Sequence, residues 1–337
     1  MSLTDDRFIT LAHGNGGRFM RALIEELFAR HLANPDLDTE ADAACLSLPP
    51  GDVLMTTDGF TVQPLEFPGG DIGSLAVHGT VNDLAVSGAE PVYLGLDAFI
   101  EEGFEIACLD RLVASMARAA AAVGVRVVCG DVKVLPRGEA GGIYFATTGI
   151  GVRPAGVRLG VRRVQAGDAV LVSGPVGDHG TAVLLAREQF GLRGDLQSDS
   201  ASVLPLTRAL LDMPGLRFMR DPTRGGLATV AHEIIRASGL RMRLRETDVP
   251  VREPVRGVCE MLGYDPLFLA CEGRVVAVVA AEDAAAALAA WRGLPDGAGA
   301  AVIGRLEAGE PGLVLETALG GERLIEELED DPLPRIC

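Results

Sequence analysis

The chain has 337 residues, 30 basic against 47 acidic side chains, a net charge of −17 and 48% apolar content. So acidic a chain is a poor match for nucleic acid or an anionic membrane surface, and no run approaches the ~18 uninterrupted apolar residues of a membrane-spanning helix. The length allows two domains with separate cores. No signal peptide is visible, because Asp5 and Asp6 stand where a basic start would be, and six cysteines without zinc or redox spacing fit a reducing cytosol.

In chain order, the Gly-rich run His13-Gly14-Asn15-Gly16-Gly17 precedes a helical pattern from Phe19 to Arg30. Residues 52–57 read as a strand ending at the turn-like Asp58-Gly59. Ile72 to Ser87 is small and apolar on nearly all sides, which predicts a buried helix with Asn82 and Asp83 set inside it. A half-buried strand over 92–98 and an amphipathic helix from Leu109 to Gly124 follow. A buried strand, Val125 to Cys129, then leads into Gly130-Asp131, and another runs from Ile143 to Ile150. The stretch 153–167 marks the inter-domain boundary. Beyond it come a strand over 169–172 entering Gly177-Asp178-His179-Gly180, and a helix opened by Asp221-Pro222-Thr223-Arg224-Gly225-Gly226. A strand over 240–244, another after Cys271-Glu272-Gly273, a helix over 284–291 and two short strands complete a mixed α+β chain.

Carboxylates recur where elements meet loops: Asp42, Asp58, Asp83, Asp131 and Asp221. Acidic groups gathered without a basic surplus suit Mg²⁺, whose sites commonly add substrate phosphates and water. Asp83 has apolar helical neighbours, and a carboxylate buried there needs a partner such as a metal. The loop 13–17 before a helix could take phosphate oxygens, whereas no P-loop motif occurs. The basic residues are 29 arginines and one lysine, Lys133, in Gly130-Asp131-Val132-Lys133-Val134. A compact ammonium has been kept where a forked guanidinium would not fit, or this is a surface lysine. Glu272 is either a general base or an ion-pair partner of Arg274. His13 reads as a cap, a loop partner or a site residue, and His179 as a holder of the second domain's loop. The chain closes on Pro332-Leu333-Pro334-Arg335-Ile336-Cys337. The prolines favour an extended approach, so this thiol is a movable carrier or an incidental frayed end.

Three stretches resemble the ATP-binding superfamily of aminoimidazole ribonucleotide synthase, selenophosphate synthetase and thiamine-monophosphate kinase. They are Thr56-Thr57-Asp58-Gly59, Phe67-Pro68-Gly69-Gly70-Asp71-Ile72-Gly73 and the run from Gly79 to Ala89 through Asn82-Asp83. Within it, residues 130–134, 177–180, 221–226 and Pro334-Arg335-Ile336-Cys337 resemble the carbamoyl dehydratases of hydrogenase maturation. The likeness spans essentially the whole chain, and the cysteine-ended tail is its discriminating motif. Val132 departs from the more usual Thr, which removes a hydroxyl contact and leaves Asp131 and Lys133 in place.

The resemblance implies a two-domain PurM-like α+β architecture. An ATP-binding, dimerising domain would cover 1–152, an α+β domain 153–325, and a mobile tail 326–337. It implies that the carbamoyltransferase HypF loads Cys337 with a carbamoyl group, which is dehydrated with ATP to a thiocyanate. That thiocyanate would be the cyanide donor for [NiFe] hydrogenase iron, passed to the HypC–HypD assembly complex. Mg²⁺ would lie on Asp58, Asp83, Asp131 and Asp221, and nucleotide contacts on Gly14, Gly16, Gly17, Asp42, Asn82 and Arg224. Lys133 would stabilise charge on the carbamoyl oxygen or γ-phosphate. Glu272 would take the N–H proton, burial raising its pKa toward a useful value. A small-molecule kinase or synthetase of the same superfamily is the alternative.

Overall fold

A computed structural model describes residues 6–187 and 194–329, which form two compact units. The first comprises residues up to 66, 70–84 and 89–154; the second comprises 67–69, 85–88 and residues from 155 onward.

The first unit opens with helix α1 (Arg18–Leu23), which continues through a π turn (Ile24–Ala29) into a last turn, α2 (Arg30–Leu32). Strand β1 (Asp52–Phe60) and a short ribbon, β2 (Glu66–Phe67) and β3 (Gly70–Asp71), precede α3 (Ile72–Val86). Then come β4 (Glu90–Glu101), α4 (Ile106–Val123), β5 (Arg126–Leu135) and β6 (Ile143–Arg153). Four of these strands make one sheet in the order β1-β6-β4-β5, with β4 and β5 parallel. The sequence places strands in these four stretches but ends all four too early. β1 runs through Asp58-Gly59 and β5 through Gly130-Asp131 to Leu135, so Asp58 and Asp131 stand on strands and not at loop mouths.

One face of the sheet is covered by helices. Residues Leu75, Ala76, Val77, Thr80, Val81 and Asn82 of α3 are all within 1% of full burial, as expected of a helix apolar all round. Its backbone meets β6, where the Thr147 hydroxyl donates to the Ala76 carbonyl at 3.1 Å. α4 buries Leu109, Leu112, Val113, Met116 and Ala120 at helical spacing and ends at Gly124 in the left-handed region, φ 84°.

The second unit contains β7 (Ala169–Val172), α5 (Asp178–Ala186), α6 (Leu204–Leu211), β8 (Leu216–Arg220), α7 (Gly226–Ser238) and β9 (Arg241–Arg245). It continues with α8 (Glu253–Leu262), β10 (Val276–Val279), α9 (Ala284–Arg292), β11 (Ala301–Glu307), β12 (Gly312–Glu316) and β13 (Glu322–Ile325). The seven strands order as β13-β12-β9-β11-β7-β10-β8, with only β12 and β9 parallel. The core joins Val170, Val172, Val276 and Val278 of the central strands to Leu227, Val230 and Ile234 of α7. Among the described residues three strands, not two, follow α9. The sequence reading missed α6, β8 and α8, although Val255, Val258 and Cys259 of α8 fall at helical spacing.

Candidate functional site

In the first unit β1 sends Thr56 and Asp58, two residues apart, to the face occupied by α3. The Thr56 hydroxyl donates to Asp83 Oδ2 at 2.8 Å, and Asp58 Oδ1 accepts the Gly59 N–H at 3.1 Å. Asp58 and Asp83 therefore share one side of the sheet. Asp83 is half-buried and not enclosed, contrary to the expectation of a buried carboxylate, because the apolar burial falls on its neighbours. Asn82, beside it, is buried.

Asp131 belongs to the opposite face. The ladder sets Asp58 against Thr147, Thr147 against Leu96 and Leu96 against Gly130, whereas Asp131 pairs with Asp97 one position on. A one-residue offset reverses the face. Asp131 and Lys133 thus sit together on the open side, with Lys133 Nζ 2.5 Å from Asp131 Oδ2 and the Val132 N–H on Oδ1 at 2.8 Å. The Lys133 hydrogen bond holds the Asp131 carboxyl below the usual carboxylate range. Both side chains are about half exposed, at 58% for Lys133 and 46% for Asp131.

The Gly-rich loop lies against this segment. A Cβ on Gly14 would come within 2.8 Å of Val134 Cβ and 2.9 Å of its nitrogen, so only glycine lets the backbones approach this closely. His13 is buried, its Nδ1 accepting the Thr10 N–H at 3.0 Å, and Gly17 caps α1. A pocket of about 180 Å³ lies between the first helical segment and β5, apolar at Phe28, Leu32 and Val127 and acidic at Asp42 and Asp131.

The second unit carries Asp221, buried, and Arg224, exposed, in the loop before α7. That loop is tied to the strand entry by the Cys271 N–H on the Pro222 carbonyl at 2.9 Å. Glu272 follows and is 3% exposed. Arg274 directs its guanidinium to Asp178 at 3.6 Å and Asp199 at 3.4 Å. Arg252 lies 3.0 Å from Asp178. Burial first, then the neighbouring Asp199 charge, push the Asp178 carboxyl up to about 6. His179 shares a 2.8 Å hydrogen bond with Ser198 and so holds the second unit's loop. Burial also pushes the Cys259 thiol up to about 11 and Cys271 well above its ordinary value, so neither is a nucleophile at neutral pH. Cys337 lies outside the described residues.

The structure thus pairs Asp58 with Asp83, Asp131 with Lys133, and Asp42 with Asp131 at one pocket. Within the first unit Asp131 stands on the other face from Asp58 and Asp83, Asp221 belongs to the second unit, and among the described residues no cluster of three or more His, Cys, Asp or Glu is poised for a metal. Sequence reasoning missed the Asp178–Asp199–Arg274 group. Gly177-Asp178-His179-Gly180 was a visible signal, but Asp199 lies in a plain polar stretch with none.

Comparison with known proteins decides the family. The AIR synthase related N-terminal domain model matches residues 40–153 and its C-terminal partner matches 165–315. The chain is 50% identical over 331 residues to the carbamoyl dehydratase HypE of Azotobacter vinelandii, covering 98% of this chain and 97% of the relative. It belongs to the HypE family of carbamoyl dehydratases. A crystal structure of a HypE hydrogenase-maturation protein in complex with ATP superposes with a TM-score of 0.93 at 46% identity, covering 97% of this chain and 99% of that one. HypE from a HypE–HypF complex superposes at 0.80 with 42% identity, covering 91% and 100%. The fold is the two-domain PurM-like α+β architecture of these HypE proteins, and no helix among the described residues is long and apolar enough to cross a membrane.

Proposed function

We propose that this chain uses ATP to dehydrate an S-carbamoyl group on its own Cys337 to a thiocyanate, the cyanide donor for [NiFe] hydrogenase iron. The observation that carries the reading is near-complete coverage by a carbamoyl dehydratase at 50% identity. Chemically, the carbamoyl oxygen is a poor leaving group. Transfer of the γ-phosphoryl group to that oxygen, with loss of one N–H proton, gives an S–C(=NH)–O–phosphate and ADP. Loss of the remaining N–H proton and cleavage of the C–O bond then release phosphate and leave S–C≡N.

The chain's own groups divide that work. Lys133, an exposed ammonium fixed by Asp131, neutralises charge gathering on the transferring phosphoryl group or carbamoyl oxygen. Glu272 takes the N–H proton. The Gly14, Gly16 and Gly17 loop before α1 takes phosphate oxygens, which would replace the bonds the Gly16 N–H makes to Met20 Sδ and the Gly17 N–H makes to Asn15 Oδ1, and the pocket edged by Asp42 suits a planar base. Asn82 and Arg224 complete the nucleotide contacts. Mg²⁺, when bound, would neutralise phosphate charge. Asp58 and Asp83 fit it, being two carboxylates on one side of the sheet, and Mg²⁺ commonly takes one or two carboxylates with phosphates and water. Asp131 lies on the other face of that sheet and would join such a site only from a second copy of the chain; Asp221, in the loop before α7, is the fourth carboxylate we assign to Mg²⁺.

We further infer a cytoplasmic homodimer that receives its carbamoyl group from HypF and delivers cyanide to HypC–HypD. A HypE relative solved with HypF supports the first of these partners. Cys337→Ala removes the acceptor sulfur by changing one small side chain, so melting temperature and ATP affinity should be unchanged while thiocyanate formation falls to zero. Mass spectrometry of the C-terminal peptide, after incubation with the carbamoyltransferase and ATP, reads the outcome. Thiocyanate on the Cys337→Ala protein would sink the carrier assignment.

A further inference from the structure

Glu272 does not sit in an ordinary strand-entry loop. The Asp199 side chain is fully buried, and it accepts two consecutive backbone N–H groups. Oδ1 takes the Glu272 N–H and Oδ2 the Gly273 N–H, each at 3.2 Å. On the other side, the Glu272 carbonyl accepts the Ala201 N–H at 3.4 Å. One short loop therefore grips both polar groups of the Glu272 residue. The grip is close, because a Cβ on Gly273 would lie 1.9 Å from the Asp199 carbonyl oxygen. The loop itself is fixed by Ser198, whose hydroxyl accepts the Ser200 N–H at 3.0 Å and shares the 2.8 Å bond with His179. Arg274 balances the Asp199 charge, while also donating to the carbonyls of Pro175 at 3.0 Å and Asp296 at 3.3 Å. Asp199, Gly273 and Arg274 together form part of the wall of a cavity of about 960 Å³.

We propose that Asp199 is the positioning residue for Glu272, clamping its backbone through two charge-assisted hydrogen bonds so that its carboxyl is held at one place. The inference rests on the reading of Glu272 as the base. A base acts only within hydrogen-bond reach of the proton it takes, and a misplacement of an ångström costs orders of magnitude in rate. A carboxylate accepting two backbone N–H groups is stiffer than neutral contacts could be. Asp199 touches neither substrate nor nucleotide in this scheme. Its whole effect passes through residue 272.

That last property makes the idea testable by coupling. Single-turnover dehydration of the carbamoylated full-length chain, at saturating ATP, is compared for Asp199→Asn, Glu272→Asp and the double variant. Asp199→Asn keeps the shape but sets an amide N–H₂ against a backbone N–H, and should slow the reaction about tenfold with the ATP KM changed less than about twofold. In the Glu272→Asp background the same change should cost less than about threefold more, because the geometry it protects is already lost. Asp178→Asn is the control. It removes charge from the same arginine pair without touching the 272–273 backbone, and should keep the wild-type rate. If Asp199→Asn does not fold, Asp199→Ser, which leaves Arg274 to Asp178, is measured in its place. Multiplicative losses in the double variant, or an equal loss in Asp178→Asn, overturn the inference. Wild-type speed in Glu272→Asp overturns the base assignment itself, a separate result.

Discussion

At the scale of the residue, the chemistry turns on which charges are fixed and which are free to move. Lys133 is held 2.5 Å from Asp131, and an ammonium suits that short point contact better than a planar fork. Lys133→Arg keeps the charge and should leave the melting temperature unchanged while slowing dehydration at least about tenfold, as followed by thiocyanate appearance; near-wild-type turnover would make Lys133 a bystander. Asp178 offers a test by pH. Its carboxyl is raised from 3.8 to about 6 by burial and by Asp199, against the pull of Arg252 and Arg274. A raised acid pKa means the folded state holds the proton more tightly than the unfolded chain. Its stabilising contribution is thus full below the unfolded value and is lost as pH rises through the folded one, each unit being worth about 1.4 kcal/mol. Urea midpoints of Asp178→Asn should therefore improve relative to the parent between about pH 4 and pH 6. A difference that stays flat across that window would show that Asp178 does not titrate there.

Among elements, the informative pair is β1 and α3. The Thr56–Asp83 hydrogen bond, 2.8 Å long, orients a carboxylate that would otherwise rotate freely at a half-buried position. Thr56→Val conserves shape and deletes the donor. Calorimetry should show Mg·ATP binding weakened about tenfold, the equivalent of a hydrogen bond to a charged group, with melting little changed. Unaltered binding would take Asp83 out of the metal site. The same elements show what the sequence made legible. The apolar run 72–86 announced a buried helix because every turn of it is small or aliphatic, and α4 announced its end with Gly124. Asp58-Gly59 and Gly130-Asp131 misled, since Asp–Gly and Gly–Asp are turn signals locally. In the molecule both lie inside long ladders, where pairing to β6 and β4 outweighs local preference. The face each carboxylate occupies depends on that register, and register is a property of two strands that neither one encodes by itself. Hence the residues of the candidate site were readable singly, and their division between two faces was not.

For the molecule as a whole, the open side of the four-stranded sheet poses the remaining question. α3 and α4 cover one face, yet the other exposes Val53 at 58% and Met55 at 72%, with Ile150 paired to Met55 across the ladder. Apolar side chains side by side on an uncovered sheet usually mark a surface that is covered in solution. The division of carboxylates points the same way. Asp58 and Asp83 lie on the helix side and Asp131 with Lys133 on the open side, so a nucleotide that touches both groups needs parts from two copies of the chain. Met55→Glu places a charge at the centre of the apolar patch without disturbing the covered face. Sedimentation at micromolar concentration should show a dimer for the parent and a monomer for the variant, and calorimetry should show ATP affinity falling in step. A monomeric parent would sink the dimer outright. A monomeric Met55→Glu that binds ATP with full affinity would keep the dimer but confine each nucleotide site to one chain, leaving Asp131 and Lys133 without a common ligand with Asp58.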